Sequence, residues 1–367
     1  MTPVVERGRR GRVGGAVLDA AETLFPGYFA LTMATGVVSI ACALLGMKGA
    51  AWALLAVNWI AYPTLWGLTF VRVAAFPAQI ARDISDHQRA PGFFTLVAGT
   101  SVLGTQNMVV AQAQSLATAL WWFGLALWVV VMYAFFTAVT IRERKPSLQS
   151  GINGAWLIGA VATQSIVVLR GVIDAGAAPA LPIQFVTLSM FMIGSMLYLA
   201  IIPLIFYRLT FVPLASQDFS PPYWINMGAV AISTLAGSIL IQRTGTWPLL
   251  ASFRPFIQGF TLFFWSLATW WIPFLFALML WRYGWKRDRV AYEPALWGMV
   301  FPLGMYTTST YQLSRALDLG FLEVVPRTFV YIALTAWLLT MAGLLVHVGR
   351  SVARSRPEKH GPVRGQS

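Results

Sequence analysis

Long apolar segments recur along the whole chain, and they constrain its fold more than any other feature of the sequence. A helix of about 20 apolar residues spans a bilayer, because it satisfies its own backbone hydrogen bonds there. The mean hydropathy of +0.67 lies far above that of soluble domains. The sequence predicts an all-α integral membrane protein with ten transmembrane helices, at roughly 26–47, 50–75, 93–112, 116–141, 152–173, 182–209, 223–242, 255–282, 295–317 and 325–348.

The links between these segments alternate in length and charge. Within the first three pairs the links are short and mostly uncharged. Longer, charged links fall between pairs, at 77–92, 142–151, 210–222 and 283–294. This alternation predicts five helical hairpins in series, which form one domain over residues 25–349 between tails at 1–24 and 350–367.

Lysine and arginine indicate the orientation in the membrane. With the N-terminus inside, internal segments carry 20 of the 26 basic residues and external segments carry six. The positive-inside rule then places both basic tails in the cytoplasm. We therefore expect a multi-pass protein of the plasma (inner) membrane, with no cleaved signal peptide. Topology accounts for much of the net charge of +13, so no nucleic-acid partner is expected. The basic ends suit contact with anionic lipid.

The two members of each hairpin differ in composition. Second members are generally rich in tryptophan, whereas first members are rich in Gly, Ser and Thr. Bulky aromatic side chains suit lipid, while small residues let helices approach closely or line a wet cavity. We predict that the odd helices form an inner ring around a central pore, with tight helix packing as the alternative. The predicted pore-lining residues are Thr32, Thr35, Ser39, Ser101, Thr105, Thr163, Ser233, Gly237, Met305 and Thr308.

The ninth segment, WGMVFPLGMYTTSTYQLSR at 297–315, carries the predicted constriction. Pro302 removes one backbone donor from the helix and favours a bend beside Phe301. The side chains of Phe301, Met305 and Thr308 share one helical face. This pattern predicts a pore gate at Phe301 and Pro302, with a purely structural kink as the alternative.

Basic residues mark the outer ends of the inner helices at Arg170, Arg243 and Arg315. They predict an electropositive outer mouth that concentrates anions. The alternative is complementation of the helix dipole at C-termini. Asp174 and Asp318 lie close enough in sequence to neutralise two of the three.

The motifs of several function classes are missing from the sequence. It contains no GxxxxGK[ST] phosphate loop, no HExxH motif and a single cysteine, Cys42. We therefore expect no ATP hydrolysis, no enzyme activity, no cofactor and no metal site. All 13 carboxylates fall outside the middle of the predicted spans, which argues against a proton or sodium pump.

Four strings, in matching spans and order, carry a resemblance to a known family. They are YFALTMATGVVSI, AWLIGAVATQSIVVL, PPYWINMGAVAI and WGMVFPLGMYTTSTYQL. With them the chain resembles, over nearly all of 25–349, the tellurite-resistance/dicarboxylate transporter family, which includes TehA-type proteins, the malate and sulfite permeases of fungi and SLAC1-type plant anion channels.

The resemblance implies five hairpins around a pore, a homotrimer with a pore in each protomer, and occlusion of the pore by Phe301. Where several members of the family kink the fifth helix with proline, this chain has Gly159. The implied function is transport of small anions, with C4-dicarboxylates such as malate leading and inorganic anions next. A proton-coupled carboxylate or sulfite carrier is the alternative within the family. A non-transporting membrane enzyme or scaffold is the remote alternative.

Overall fold

A computed structural model describes residues 12–289 and 291–354, and all regular secondary structure in these ranges is helical. We number its ten long helices α1 to α10 in chain order. Their bounds are Ala30–Leu44 (α1), Lys48–Ala75 (α2), Phe94–Ala111 (α3), Gln114–Ile141 (α4), Ile158–Ile173 (α5), Leu181–Phe211 (α6), Ile225–Arg243 (α7), Arg254–Met279 (α8), Trp297–Ala316 (α9) and Val324–Arg354 (α10).

The predicted class, a helical membrane protein, is confirmed. Nine helices within the described ranges are long and apolar enough to cross a bilayer. The helix that does not meet this criterion is α9, although its 20 residues match the length of a span. The run of hydroxyl side chains at 307–310 lowers its hydropathy. A helix of that composition is stable in a membrane only when other helices shield it from lipid.

Burial divides the long helices into two groups. Every residue in the most apolar stretch of α7 is buried, and 78–89% are buried in α1, α3 and α5. The corresponding share is only 22% in α2, α8 and α10, whose exposed side chains include Trp52, Trp59 and Trp270. Most residues of α9 are also buried. We call α1, α3, α5, α7 and α9 the inner helices and the others the outer helices.

The inner helices contact one another in a closed cycle. Along the cycle α1 contacts α3, α3 contacts α5, α5 contacts α7, α7 contacts α9, and α9 contacts α1. Each outer helix packs against the inner helix that precedes it in the chain and also against the next inner helix. For α10 that next helix is α1, so the last long helix closes the cycle onto the first.

Each inner helix begins with a short 3-10 turn, at Pro26–Phe29, Ala90–Phe93, Gly154–Leu157, Pro221–Trp224 and Pro294–Leu296. We call this end of the molecule the N-face and the opposite end the C-face. Two glycines bring the turns together: a Cβ on Gly92 would lie 2.8 Å from the backbone nitrogen of Gly27. A Cβ on Gly154 would lie only 2.1 Å from the carbonyl oxygen of Pro222. Side chains at these two positions would therefore push the helix starts apart.

The sequence analysis missed a helix in the N-terminal tail. Arg12–Thr23 is helical and packs against α2, within the stretch predicted as a basic tail at 1–24. The remaining parts of the predicted tails, residues 1–11 and 355–367, lie outside the described residues.

Candidate functional site: a cavity shared by the five inner helices

A narrow cavity opens at the N-face where the five inner helices start. Every inner helix or its starting turn contributes to the lining, which is almost entirely apolar. The cavity holds about 50 Å³, room for a few water molecules. Its lining residues are Phe25, Gly27, Ala30, Met33, Gln88, Gly92, Thr95, Ala155, Ile158, Val161, Pro222, Ile225, Pro294, Ala295, Gly298 and Phe301.

Phe301 is the cavity-lining residue that lies furthest along α9. It follows Pro294 by seven positions, which corresponds to a depth of roughly 10 Å along a helix. Its side chain is only 1% exposed. The next residue, Pro302, is buried within α9, which remains helical on both sides of it. The lining of the cavity at this depth therefore includes an aromatic ring on the least apolar inner helix.

Thr95 ties two of the helix starts together beside this cavity. Its hydroxyl donates to the carbonyl of Gly92 at 2.7 Å and lies 3.2 Å from the carbonyl of Pro26 in the turn before α1. The hydroxyl is thereby occupied by backbone acceptors. The hydroxyl of Thr95 thus helps to hold the starts of α1 and α3 together.

Several predicted pore-lining hydroxyls point to outer helices. The Thr163 hydroxyl accepts from the indole nitrogen of Trp128 on α4 at 2.8 Å. The Thr35 hydroxyl accepts from Trp337 on α10 at 2.9 Å. Ser39 donates to the carbonyl of Ala51 on α2 at 2.7 Å. These three hydroxyls contact outer helices, and pore lining by the three residues stays a prediction.

Two further predicted lining residues occupy the same interface. A Cβ on Gly237 would lie 2.0 Å from the hydroxyl of Thr261 on α8, and one on Gly124 of α4 would lie 3.1 Å from the hydroxyl of Ser101. Gly237 and Ser101 therefore also face outer helices. Small residues are needed there because the helices pack closely, which is the alternative that the composition left open.

The side chains of the other predicted lining residues are buried but form no hydrogen bond to an outer helix among the described residues. Thr105, Ser233 and Thr308 each donate to the carbonyl four residues earlier in their own helix. The hydroxyl of Thr32 is buried and has no hydrogen-bond partner among the described residues. Met305 follows Phe301 by one helical turn and is 2% exposed. For these residues pore lining stays a prediction.

Two of the three arginines of the predicted basic mouth at the C-face, Arg170 and Arg243, are bound to groups at helix ends. Arg170 forms a bidentate ion pair with Asp174 at 2.5 Å and lies over the ring of Trp121. Burial raises the pKa of Asp174, and the guanidinium of Arg170 opposes that rise. Arg243 donates to the carbonyl of Gly171 at 2.9 Å, at the end of α5. Both arginines therefore join helix ends.

Arg315 differs from these two arginines because it remains accessible. Its side chain is 60% exposed, and its ion-pair partner is Glu323 at 3.7 Å rather than the predicted Asp318. It also lies over the ring of Tyr311. Of the three predicted mouth residues, Arg315 has the charge most available to solvent.

Sequence reasoning missed most of the residues that line the cavity. Met33, Val161 and Ile225 are ordinary apolar residues, so their side chains gave no signal of a site. The usable signal was the recurrence of proline or glycine just before each odd span, as in FPGYF, APGFF and PPYWI. That recurrence marks the 3-10 turns around the cavity.

Comparison with known proteins supports the resemblance. An uncharacterised membrane protein of Mycobacterium tuberculosis (strain H37Rv) is 35% identical over 164 residues, which cover 45% of this chain and 83% of that protein. An uncharacterised transporter of Methanocaldococcus jannaschii is 21% identical and covers 86% of this chain and 92% of its own. A sulfite efflux pump of Trichophyton rubrum is 23% identical, with 88% and 90% covered.

A family model describes nearly the whole chain. The model, SLAC1, voltage-dependent anion channel, matches residues 23–345, which include all five inner helices and the cavity between their starts. The match confirms the predicted family. The chain therefore belongs to the SLAC1 family of voltage-dependent anion channels and is a multi-pass membrane protein of that family.

Proposed function

We propose that the protein conducts small anions along the axis of the inner helices, from the N-face cavity past Phe301 to the C-face. The observation that carries the proposal is the cavity itself, since all five inner helices contribute to it and Phe301 lies at its depth. In this proposal ten helices cross the membrane as five hairpins, and Phe301 with Pro302 forms the gate. Beyond the gate, Met305 and Thr308 continue the same face of α9 along the pathway.

In this proposal the N-terminal ends of the inner helices make the pathway selective for anions. Five helices begin around the cavity, and the N-terminal end of a helix carries a partial positive charge. Among the described residues that line the cavity there is no carboxylate and no basic side chain, so backbone dipoles dominate their local field. Weak, delocalised attraction suits conduction, because an anion must leave the pathway as readily as it enters.

The substrate class remains the small anions of the sequence-based prediction. C4-dicarboxylates such as malate are one candidate group, and inorganic anions are the other. The relatives named as sulfite efflux pumps make sulfite the first inorganic anion to test. An apolar lining with few polar groups offers no fixed charge geometry that favours malate over sulfite.

The proposal also includes the orientation of the protein in the membrane and its oligomeric state. The N-face is cytoplasmic and both termini lie in the cytoplasm of a plasma (inner) membrane protein, because internal segments carry most of the basic residues. The resemblance to the family adds a homotrimer with one pathway per protomer. The partners are then the transported anions, the lipid and two further copies of the chain.

Flux measurements in proteoliposomes test the function against its rivals. Radiolabelled malate and sulfite are followed with and without a pH gradient, with the membrane potential clamped. We expect downhill flux that the pH gradient changes only through its electrical effect. Uphill accumulation driven by the gradient would instead establish a proton-coupled carrier. Absence of flux for every anion tested would favour a non-transporting membrane enzyme or scaffold.

A further inference from the structure

A second cavity lies on the N-face beside the shared one. It is formed by the links before α3, α5 and α7 together with the end of α6, and it holds about 440 Å³. Its lining is mainly polar, in contrast to the central cavity. The residues are Gln88, Ser147, Gln149, Ser150, Ile152, Asn153, Arg208, Gln217, Asp218, Ser220 and Tyr223.

Arg208 is the buried charge in the wall of this cavity. It belongs to the last turn of α6, and the residue is only 4% exposed. Its Nε donates to the carbonyl of Gln149 at 2.9 Å, and its Nη2 lies 3.3 Å from a carboxylate oxygen of Asp218. Its Nη1 is covered by protein and has no hydrogen-bond partner among the described residues.

An unpaired N–H on a buried guanidinium is unfavourable. Taking a charged donor out of water without giving it an acceptor costs more than leaving a neutral donor unpaired. Asp218 compensates only in part, because its side chain is 41% exposed and water screens an exposed ion pair. Arg208 therefore keeps both an unfilled donor and uncompensated positive charge.

The side chains around Arg208 suit a small anion with several oxygens. Ser147, Ser150 and Gln217 are exposed at the rim, and each carries a hydroxyl or amide donor. The planar guanidinium matches the spacing of two oxygens of a sulfate, phosphate or carboxylate. Since Nη1 is covered, an oxygen reaches it only after the groups that cover it move.

We propose that this cavity binds one small oxyanion against Arg208, at a site distinct from the central pathway. Gln88 lines both cavities, so the bound anion lies next to the start of that pathway. Asp218 competes with the anion for the guanidinium. The site requires no conduction between the inner helices, so binding and flux can be tested separately.

The test is binding of radiolabelled sulfate to the purified protein in detergent, measured by scintillation proximity in a chloride buffer of constant ionic strength. We expect saturable binding that unlabelled sulfate and inorganic phosphate displace. Arg208→Gln should weaken the affinity by about 10- to 100-fold, the value of hydrogen bonds to a charged group.

Asp218→Asn should change the affinity for sulfate in the direction opposite to Arg208→Gln. This second test does not require the substitution of a buried residue. Removing the competing carboxylate should tighten sulfate binding by up to about fivefold. The matched control is Asp288→Asn, since Asp288 forms the corresponding 3.3 Å pair with Arg282 on the same face but does not line this cavity. It should leave the affinity unchanged.

Four results would overturn the proposal. The first is absence of saturable sulfate binding in the wild-type protein. The second is an affinity that responds equally to Asp218→Asn and Asp288→Asn, and the third is an affinity that is unchanged in folded Arg208→Gln protein. The fourth is binding of short-chain phosphatidic acid without any binding of free sulfate or phosphate, which would identify a lipid headgroup site instead.

Discussion

A Cβ on Gly228 of α7 would lie 2.7 Å from Cγ of Pro302 on α9. The two helices are thus in direct contact at the residue that follows Phe301. The pyrrolidine ring is rigid, so a larger side chain at position 228 cannot be accommodated by rotation of its neighbour. This contact links the packing of α7 to the position of the Phe301 backbone.

The first prediction is that Gly228→Ala destabilises the protein by about 1–3 kcal/mol, the usual cost of overpacking. The control is Gly259→Ala in α8, where a Cβ would meet nothing within 4 Å. That control should be neutral or stabilising by up to about 1 kcal/mol, because alanine favours a helix over glycine. Thermal unfolding of the two purified variants measures the difference. Equal stability of the variants would contradict the contact.

The second prediction concerns the hydroxyls between inner and outer helices. Thr163→Val removes the acceptor of the buried Trp128 indole, and an unpaired buried donor costs about 1–3 kcal/mol. We expect a lower melting temperature but unchanged anion flux per folded molecule. The comparison variant is Thr308→Val, which removes a hydroxyl that donates to a backbone carbonyl of its own helix. A changed flux in stable Thr163→Val protein would return this residue to the pathway.

The third prediction separates the arginines of the C-face. Arg315 is 60% exposed, so its charge acts through the surface potential, which salt screens over roughly 10 Å at 0.1 M. Arg315→Gln should therefore lower anion flux at low salt and have little effect at high salt. Arg170→Gln should instead lower the yield of folded protein, because it leaves the largely covered Asp174 carboxylate without its partner. A salt-independent loss of flux in Arg315→Gln would point to direct contact with the anion.

Much of the fold could be predicted from the sequence because a bilayer imposes strong constraints. The apolar segments predicted all ten long helices, including α9, and most of their ends to within a few residues. The side-chain directions could not be predicted in the same way. Small polar residues suit either a wet cavity or a tight helix contact, and Thr35 and Thr163 serve the second. Their indole partners lie on other hairpins, far away in the sequence.

Only part of the candidate site could be predicted from the sequence. The position of Phe301 on α9 could be predicted because a proline follows it and polar residues share its face. The opposite wall could not, since Met33 and Ile225 are chemically indistinguishable from core residues. The cavity around Arg208 was also missed, because its polar residues come from three separate links and from the end of α6.

The fourth prediction concerns orientation. Cysteines introduced at Arg144 and Arg287 should react only with membrane-permeant reagents in intact cells, and one at Gly176 should react with impermeant reagents. The native Cys42 is fully buried, so it should contribute little background labelling. The reverse labelling pattern would place the N-face outside the cell. It would also contradict the cytoplasmic assignment of both termini.

The central claim is that the ring of Phe301 closes an anion pathway. Truncating a buried core phenylalanine usually costs about 3–5 kcal/mol and lowers the amount of folded protein. Phe264→Ala is the matched control, since Phe264 on α8 is equally buried but does not line the cavity. It should lower the yield without raising flux per molecule.

Anion flux through Phe301→Ala protein in proteoliposomes, normalised to the amount of folded protein, is the most direct measurement. The account predicts a flux above that of the wild type for malate or sulfite, because the ring that narrows the pathway is gone. An equal or lower flux in well-folded Phe301→Ala protein would contradict the gate.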